Sequence, residues 1–473
     1  MLLIGQNIKK EYGIQTVLDV KKIQIQEGDR IGLVGRNGSG KSTLLKILSN
    51  KLECDSGIIK SNCDIACISQ EGEAEGEPDS MYVSRMKLWD SAVKSGGEIT
   101  RMAIASAFSK QAPLLFADEP TTNLDTQGIE ELEKMLKGYR GAVVLVSHDR
   151  QLLDTVCNQI WEIEKGDIRV FPGNYTDWYE QRQRERNFET AEYEQYRAEK
   201  RRLTSSIMDI RKEGKKMGKP PRKMSSSEWL LYKGIASEQQ GHVEKRGSAL
   251  VSRLEHLEVK ERPEDLPKVS MKLGIHDKIK AKNAARINSL SFSYDDKKIL
   301  DDVSCDFQTG KKTFLTGENG SGKSTMLTCL IEKDEGTFIT SDAKVGYFSQ
   351  NHDILEYDKS VLENVKDTAV VPEHICRAVL ANLYMQKDDL HKPVNVLSGG
   401  ERVKTALAKI LVSGCNFLIF DEPTNHMDIY TMEGLEKLLE DFDGTVLAVS
   451  HDRKFVQNLA DVVYKLENGK IIK

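Results

Sequence analysis

The nine residues GRNGSGKST at 35–43 return at 317–325 as GENGSGKST, with one substitution between them. Around them, YGIQTVLDVKKIQIQEGDRIGLVGRNGSGKST (12–43) is matched by YDDKKILDDVSCDFQTGKKTFLTGENGSGKST (294–325), so the chain carries one module twice. In each copy an apolar, β-rich run, RIGLVG or KTFLTG, enters the glycines and a helical pattern follows. This is the P-loop: its glycines let successive backbone N–H groups wrap phosphates at a helix N-terminus. Lys41 and Lys323 reach the terminal phosphates, and Ser42 and Ser324 offer a hydroxyl to magnesium. A plain glycine turn between strand and helix has no need of the lysine. The expected ligands are ATP and Mg2+, cradled by Gly35, Arg36, Asn37, Gly38, Ser39, Gly40, Lys41, Ser42 and Thr43 and again by Gly317, Glu318, Asn319, Gly320, Ser321, Gly322, Lys323, Ser324 and Thr325.

Downstream of each loop an apolar strand ends in two carboxylates, LLFADEP (114–120) and FLIFDEP (417–423). Asp118 and Asp421 suit a magnesium ion held through water, and Glu119 and Glu422 suit general bases that polarise the attacking water. A buried strand gains nothing from two adjacent acids. Further on, VVLVSHDR and VLAVSHDR place His148 and His451 at the end of another apolar strand, each 29 residues after its glutamate, as sensors of the γ-phosphate.

Composition bounds the rest. A chain of 473 residues exceeds one ordinary core, and 39% apolar with 30% charged residues is that of a globular protein. No apolar run approaches the roughly 18 to 20 residues of a membrane helix, and MLLIGQNIKKEY turns charged too early for a signal peptide, so a cytoplasmic protein without a membrane partner is expected. The eight cysteines are scattered and read as core thiols. With a net charge of -5, any affinity for nucleic acid must come from a local patch.

KSGGE (94–98) and LSGGE (397–401) precede the two DEP strands by the same interval, and with them the sequence resembles the ATP-binding cassette family. The resemblance implies that each SGGE opens a helix capping the γ-phosphate bound by the opposite module. One composite site would join residues 35–43, Gln70, Asp118, Glu119 and His148 to Ser398, Gly399 and Gly400. The other would join residues 317–325, Gln350, Asp421, Glu422 and His451 to Ser95, Gly96 and Gly97. Gln70 and Gln350 would stand with Ser42, Ser324 and the two aspartates at the metal. Tyr12 and Tyr294, each 23 residues before its P-loop, match the adenine-stacking aromatic. The copies also differ: Gln70 to Ser95 is 25 residues but Gln350 to Ser398 is 48, and Lys94 and DEPTTNLD depart from Leu397 and DEPTNHMD. The site that uses the first signature is the expected weaker catalyst.

Between the modules GNYTDWYEQRQRER opens a segment without glycine until Gly214. It predicts a helix capped by Thr176 and running roughly 60 Å to about Gly214. Tyr193, Tyr196, Leu203, Ile207 and Ile210 fall at three- and four-residue steps, and Trp229, Ala236, Val243, Leu250 and Leu257 recur every seven, with Leu254 beside them. Two antiparallel helices along a narrow seam follow, broken at EGKKMGKPPRKMSSSEW (213–229), where Ser225 to Ser227 can cap the second. From 197 to 223 there are eleven Lys or Arg against Glu199, Asp209 and Glu213, a net of +8. Lys215, Lys216, Lys219, Arg222 and Lys223 are the candidate RNA-binding residues.

The fold class predicted is α/β: two tandem P-loop ATP-binding cassette domains joined by a long antiparallel helical hairpin linker. The expected domains are 1–175, with a shortened helical subdomain and no arm, 176–264 for the hairpin, and 265–473. Tandem cassettes, DEPTNHMD, a charged hairpin and no membrane domain are similar to the ABC-F ATPases. The missing arm and developed hairpin resemble their antibiotic-resistance branch. That resemblance implies a monomer with intramolecular cassette pairing, acting on the bacterial ribosome. It would contact ribosomal RNA and tRNA in the exit and peptidyl sites and dislodge drugs from the peptidyl-transferase centre. A housekeeping ABC-F translation factor and a transporter ATPase subunit are the alternatives.

Overall fold

A computed structural model of the protein describes all residues except 14, 70–75, 89–95, 218–224, 261–276, 295–296, 350–353, 426 and 473. Each module builds the same two sheets. In the first the order is Ile65–Ile68, Leu114–Asp118, Ala142–Val146, Arg30–Val34, Gln159–Glu164 and Asp167–Pro172. In the second it is Val345–Phe348, Phe417–Asp421, Thr445–Val449, Lys312–Gly317, Val462–Glu467 and Lys470–Ile472. All neighbours are parallel except the last pair of each sheet. The strands ending in Asp118 and Asp421, and those leading to the histidines, are buried at every position, as a parallel sheet covered on both faces requires. A three-stranded antiparallel sheet (Gln15–Ile25, Leu3–Tyr12, Ser56–Ser61; Lys297–Gln308, Asn283–Tyr294, Thr337–Ile339) closes each core from the other side of the P-loop helix.

The P-loops leave the C-terminal ends of Arg30–Val34 and Lys312–Gly317, and the carboxylates and histidines leave the same edge, where ligands of parallel sheets bind. Gly40 and Gly322 start the helices Lys41–Leu48 and Lys323–Glu332 at φ 98° and 99°. A Cβ on Gly40 would also meet Val17 at 2.8 Å, so both conformation and space demand glycine. The modules differ between sheet and signature. The first has the short helix Ser80–Arg85 before Gly96–Ser109; the second has Val361–Asp367, Glu373–Asn382 and two 3-10 turns before Gly399–Leu411.

By packing, Met1–Trp178 with Leu266–Lys473 forms one compact unit and Tyr179–Asp265 another. The second is a hairpin of Tyr175–Met217 and Ser226–Glu255. Among the described residues beyond Trp178, Leu203, Ile207 and Val243 are buried, Glu199 pairs with Arg253 at 3.1 Å, and a Cβ on Gly247 would stand 3.4 Å from Ile210. The pairing is antiparallel, since partners ascend one helix as they descend the other. Ser225 caps the second helix in a box with Glu228.

Two sequence expectations are corrected. The first helix is capped by Asn174, whose Oδ1 accepts from Asp177 N while Asp177 Oδ2 accepts from Asn174 N, each at 3.0 Å. Thr176 lies inside the first turn and gives its N–H to Asp154. Nor does Gly214 end the helix, which continues to Met217; a mid-helix glycine costs about 1 kcal/mol against alanine but breaks no hydrogen bond. Lys215 and Lys216 fall in the last turn, whereas Lys219, Arg222 and Lys223 lie outside the described residues.

Candidate active site

A cleft of about 1350 Å³ runs between the two cassettes. It is lined by both P-loops, by Asp118, Glu119, His148, Glu422 and His451, by Tyr12 and Tyr294, and by Gly96 and Gly97 with Ser398, Gly399 and Gly400. Gln70, Ser95 and Gln350 lie outside the described residues. Each P-loop lysine folds back on its own loop: Lys41 Nζ donates to the carbonyls of Gly35 (2.8 Å) and Arg36 (3.0 Å), Lys323 Nζ to those of Gly317 (3.1 Å) and Glu318 (2.8 Å). Both lysines are buried, which holds their proton affinity below the ordinary lysine value.

Ser324 Oγ donates to Asp421 Oδ1 at 3.1 Å, and in the first module Asp118 is buried with its Oδ1 lacking a hydrogen-bond partner. A hydroxyl, a carboxylate and a spare oxygen together fit a hard cation. Ser42 with Asp118, and Ser324 with Asp421, would hold Mg2+, which neutralises phosphate charge when bound.

Glu119 and Glu422 sit at φ 49° and 50°, the left-handed region that glutamate rarely adopts. The turn is pinned by Glu119 N donating to Val146 O (2.9 Å) and Glu422 N to Val449 O (3.0 Å). This strain at matching positions turns each carboxylate from the strand end into the cleft. The imidazole Nε2 of His148 stands 3.1 Å from Glu119 Oε1, and that of His451 3.3 Å from Glu422 Oε1. Burial, opposed by the neighbouring P-loop lysines, pushes each glutamate up to about 7. Burial and then the lysine push His148 down to about 3 and His451 to about 4, so both imidazoles are neutral at physiological pH.

The sign of the resulting pH dependence is fixed. A carboxyl raised from 4.5 to about 7 on folding favours the fold below 4.5 and gives that contribution up as pH climbs through 7. Between pH 6 and 8 the ligand-free protein should lose roughly 1 kcal/mol per carboxyl relative to a Glu119→Gln, Glu422→Gln variant. Paired thermal melts at several pH values check this, and a difference independent of pH would place both carboxyls at ordinary values.

The contacts that join the cassettes involve residues the sequence analysis did not single out. Asn37 N donates to Asp428 Oδ2 at 2.9 Å, and in the opposite sense the backbone of Asn319 is among the groups that hold the Asp125 carboxyl below the ordinary carboxylate value. Asn319 Nδ2 also donates to Asn123 O at 2.8 Å, beside Gly97. The first P-loop thus meets the second module, and the second P-loop meets the first signature. Burial works against ionisation of Asp428, but Lys404 and the N–H groups of Asn37 and Thr431 outweigh it and hold the carboxyl at about 2. Arg150 Nη1 reaches Glu436 Oε2 at 3.1 Å in full burial, and Arg453 reaches Glu133 at 3.2 Å in partial exposure. The repeat carried a signal for all four: Asp125 and Asp428 each follow their glutamate by six residues, and both arginines stand in SHDR.

An unequal cost follows for the two arginines. Arg150→Met strands a buried carboxylate and should destabilise the protein by about 3 kcal/mol, whereas Arg453→Met should cost about 1 kcal/mol or less. Denaturant midpoints of the two variants test this; equal losses would mean that burial does not distinguish the pairs.

Two P-loops, each facing the other module's signature helix across strained glutamates, define a paired ATP-binding cassette ATPase. A family model described as ABC transporter matches residues 18–76 and 300–425, and a second of the same description matches 161–226. The erythromycin resistance ATP-binding protein MsrA of Staphylococcus epidermidis is 32% identical, with 96% of this chain and 95% of that protein covered. The ribosome protection protein VmlR of Bacillus subtilis (strain 168) is 29% identical over 99% of this chain and 87% of its own. An archaeal ribosome recycling factor, solved in complex with a ribosomal stalk protein, superposes with a TM-score of 0.65 at 19% identity, over 98% of this chain and 89% of that one, and shares the fold. The chain belongs to the ABC-F family of ATPases. Among the described residues no helix is long and apolar enough to cross a membrane.

Proposed function

We propose that this ATPase binds the bacterial ribosome and protects it from antibiotics acting at the peptidyl-transferase centre, its hairpin displacing tRNA and drug. In each composite site Glu119 or Glu422 takes a proton from the attacking water, His148 or His451 contacts the γ-phosphate, and the P-loop lysine leaves its carbonyls for the phosphates. Gln70 and Gln350 complete the metal shells, Tyr12 and Tyr294 stack on adenine, and Ser95 and Ser398 cap the γ-phosphate from the opposite module. Lys215, Lys216, Lys219, Arg222 and Lys223 contact ribosomal RNA at the hairpin turn.

The observation that carries this reading is the match in length. This chain and the erythromycin resistance relative cover each other over 96% and 95%, so the two cassettes, the short first signature segment and the hairpin all have room for counterparts in one protein. A relative named for ribosome protection supports the partner, and the net +8 of residues 197–223 suits a surface lined with phosphate. Expression in a sensitive bacterium should raise the minimum inhibitory concentration of lincosamides, pleuromutilins and A-type streptogramins, with the protein co-sedimenting with ribosomes. Co-sedimentation without tolerance to any of these drugs would leave the housekeeping translation factor in its place.

A further inference from the structure

The helix Ile429–Glu440 of the second cassette touches the first ATP site at one end and the root of the hairpin a turn later. Its cap, Asp428, holds Asn37 of the first P-loop. Two residues on, the ring of Tyr430 lies 5.8 Å from that of Tyr384, which carries the guanidinium of Arg36 at 5.3 Å. On its other side Tyr430 meets Trp178 edge-on at 6.3 Å and donates its hydroxyl to Glu162 Oε1 at 2.7 Å, while Trp178 Nε1 lies 3.5 Å from the other oxygen of that carboxylate. Tyr175 donates to Glu433 at 3.3 Å. Tyr175, Trp178, Tyr430 and Glu162 are all buried, and Tyr175 and Trp178 form the first turn of Tyr175–Met217. Gly434 lets this helix approach so closely that an added Cβ would overlap the carbonyl of Asn382.

Among the described residues the second ATP site has no such chain. Counted from the glutamates, Gln127 stands where Tyr430 does, Glu318 replaces Arg36 in the P-loop, and Lys465 replaces Glu162. Gln127 donates to Glu318, and Lys465 is exposed.

We propose that the two ATP sites are read out unequally: Tyr430 is a positioning residue that couples closure at the site of residues 35–43 to the first turn of the hairpin helix. Glu162 and Trp178 belong to the first cassette side and Tyr430 and Glu433 to the second, so separation of the cassettes takes both the stacking ring and the carboxylate partner away from that turn. Packed rings of this kind switch between discrete arrangements. This rests on the ATP-binding cassette reading alone and needs no ribosome or drug.

The test is hydrogen exchange on the full chain carrying Glu119→Gln and Glu422→Gln, with and without ATP and magnesium, with nucleotide binding measured in parallel. ATP should slow exchange at Tyr175 to Trp178 by about tenfold. Adding Tyr430→Ala should abolish that slowing while ATP still protects the P-loop; Tyr430→Phe, which keeps the ring, should retain part of it, and Gln127→Ala should change nothing at this turn. Tyr384→Leu, at a half-buried position, gives the same loss should Tyr430→Ala not fold. Failure to bind nucleotide would overturn the assignment of the ATP site. Binding with slowing that survives Tyr430→Ala or Tyr384→Leu, or that is lost equally in Gln127→Ala, would overturn the coupling.

Discussion

Replacing Glu119 and Glu422 together by glutamine is expected to cut ATP turnover by about 100-fold or more while nucleotide still binds. Glutamine is as long as glutamate and meets the same strain at φ 49° and 50°, so the pinned turns of Glu119 and Glu422 on Val146 and Val449 carry over. What is lost is a group able to take a proton. The lysines, the P-loop amides and Asp428 across the interface are untouched, and these are the groups expected to hold phosphate and close the cassettes. Neither histidine can stand in as base, because burial and the charge of the P-loop lysine both oppose its taking up a proton. Steady-state phosphate release alongside equilibrium binding of a fluorescent nucleotide decides the matter. Turnover within about threefold of the unaltered protein would remove both carboxylates from the base role. Single substitutions then compare the sites, and the one that uses Gly96 and Gly97 should be the slower.

Replacing residues 218–224 by a short Gly-Ser link is expected to abolish protection against drugs at the peptidyl-transferase centre while ATP turnover is unchanged. The segment begins after the last residue of Tyr175–Met217 and ends before Ser225, so the capping box of Ser225 with Glu228, worth about 1 kcal/mol, is kept. The seam at Leu203, Ile207 and Val243 is also untouched, so the hairpin still folds. Removed are Lys219, Arg222 and Lys223, three of the eleven cations of the patch, together with Met224 as an apolar contact. Lys215 and Lys216 remain, and ribosome binding should persist in weakened form with a flatter dependence on salt, since fewer phosphate contacts release fewer counterions. A drug panel run beside ribosome co-sedimentation of the same protein is the measurement. Equal protection by the altered chain would place drug displacement elsewhere in the protein.

The P-loops, DEP strands and SHDR ends were legible because each packs its chemistry into a few contiguous residues, and the repeat supplied an internal control on spacing. The hairpin was legible for a different reason: a long stretch without glycine, an apolar recurrence and a proline-broken turn leave a chain little else to form. Where the reading slipped, two local options were close in energy. Asn174 and Thr176 are both cap formers, and Asp177, three residues after Asn174, closes a reciprocal box that Thr176 cannot make. At Gly214 the cost of glycine was smaller than that of ending the helix early.

By itself the sequence determined the two P-loop turns, the order of the modules and the hairpin between them, because P-loop geometry and helical periodicity are properties of neighbouring residues. Only the tertiary structure decided which groups meet across the cassettes: Asn37 with Asp428, Arg150 with Glu436, and Tyr430 between Arg36's neighbour Tyr384 and Trp178. These partners are far apart in the chain, and their pairing is set by the closure of two sheets upon each other. Local propensity carries no information about that closure; burial of the facing surfaces and satisfaction of the charges trapped between them impose it.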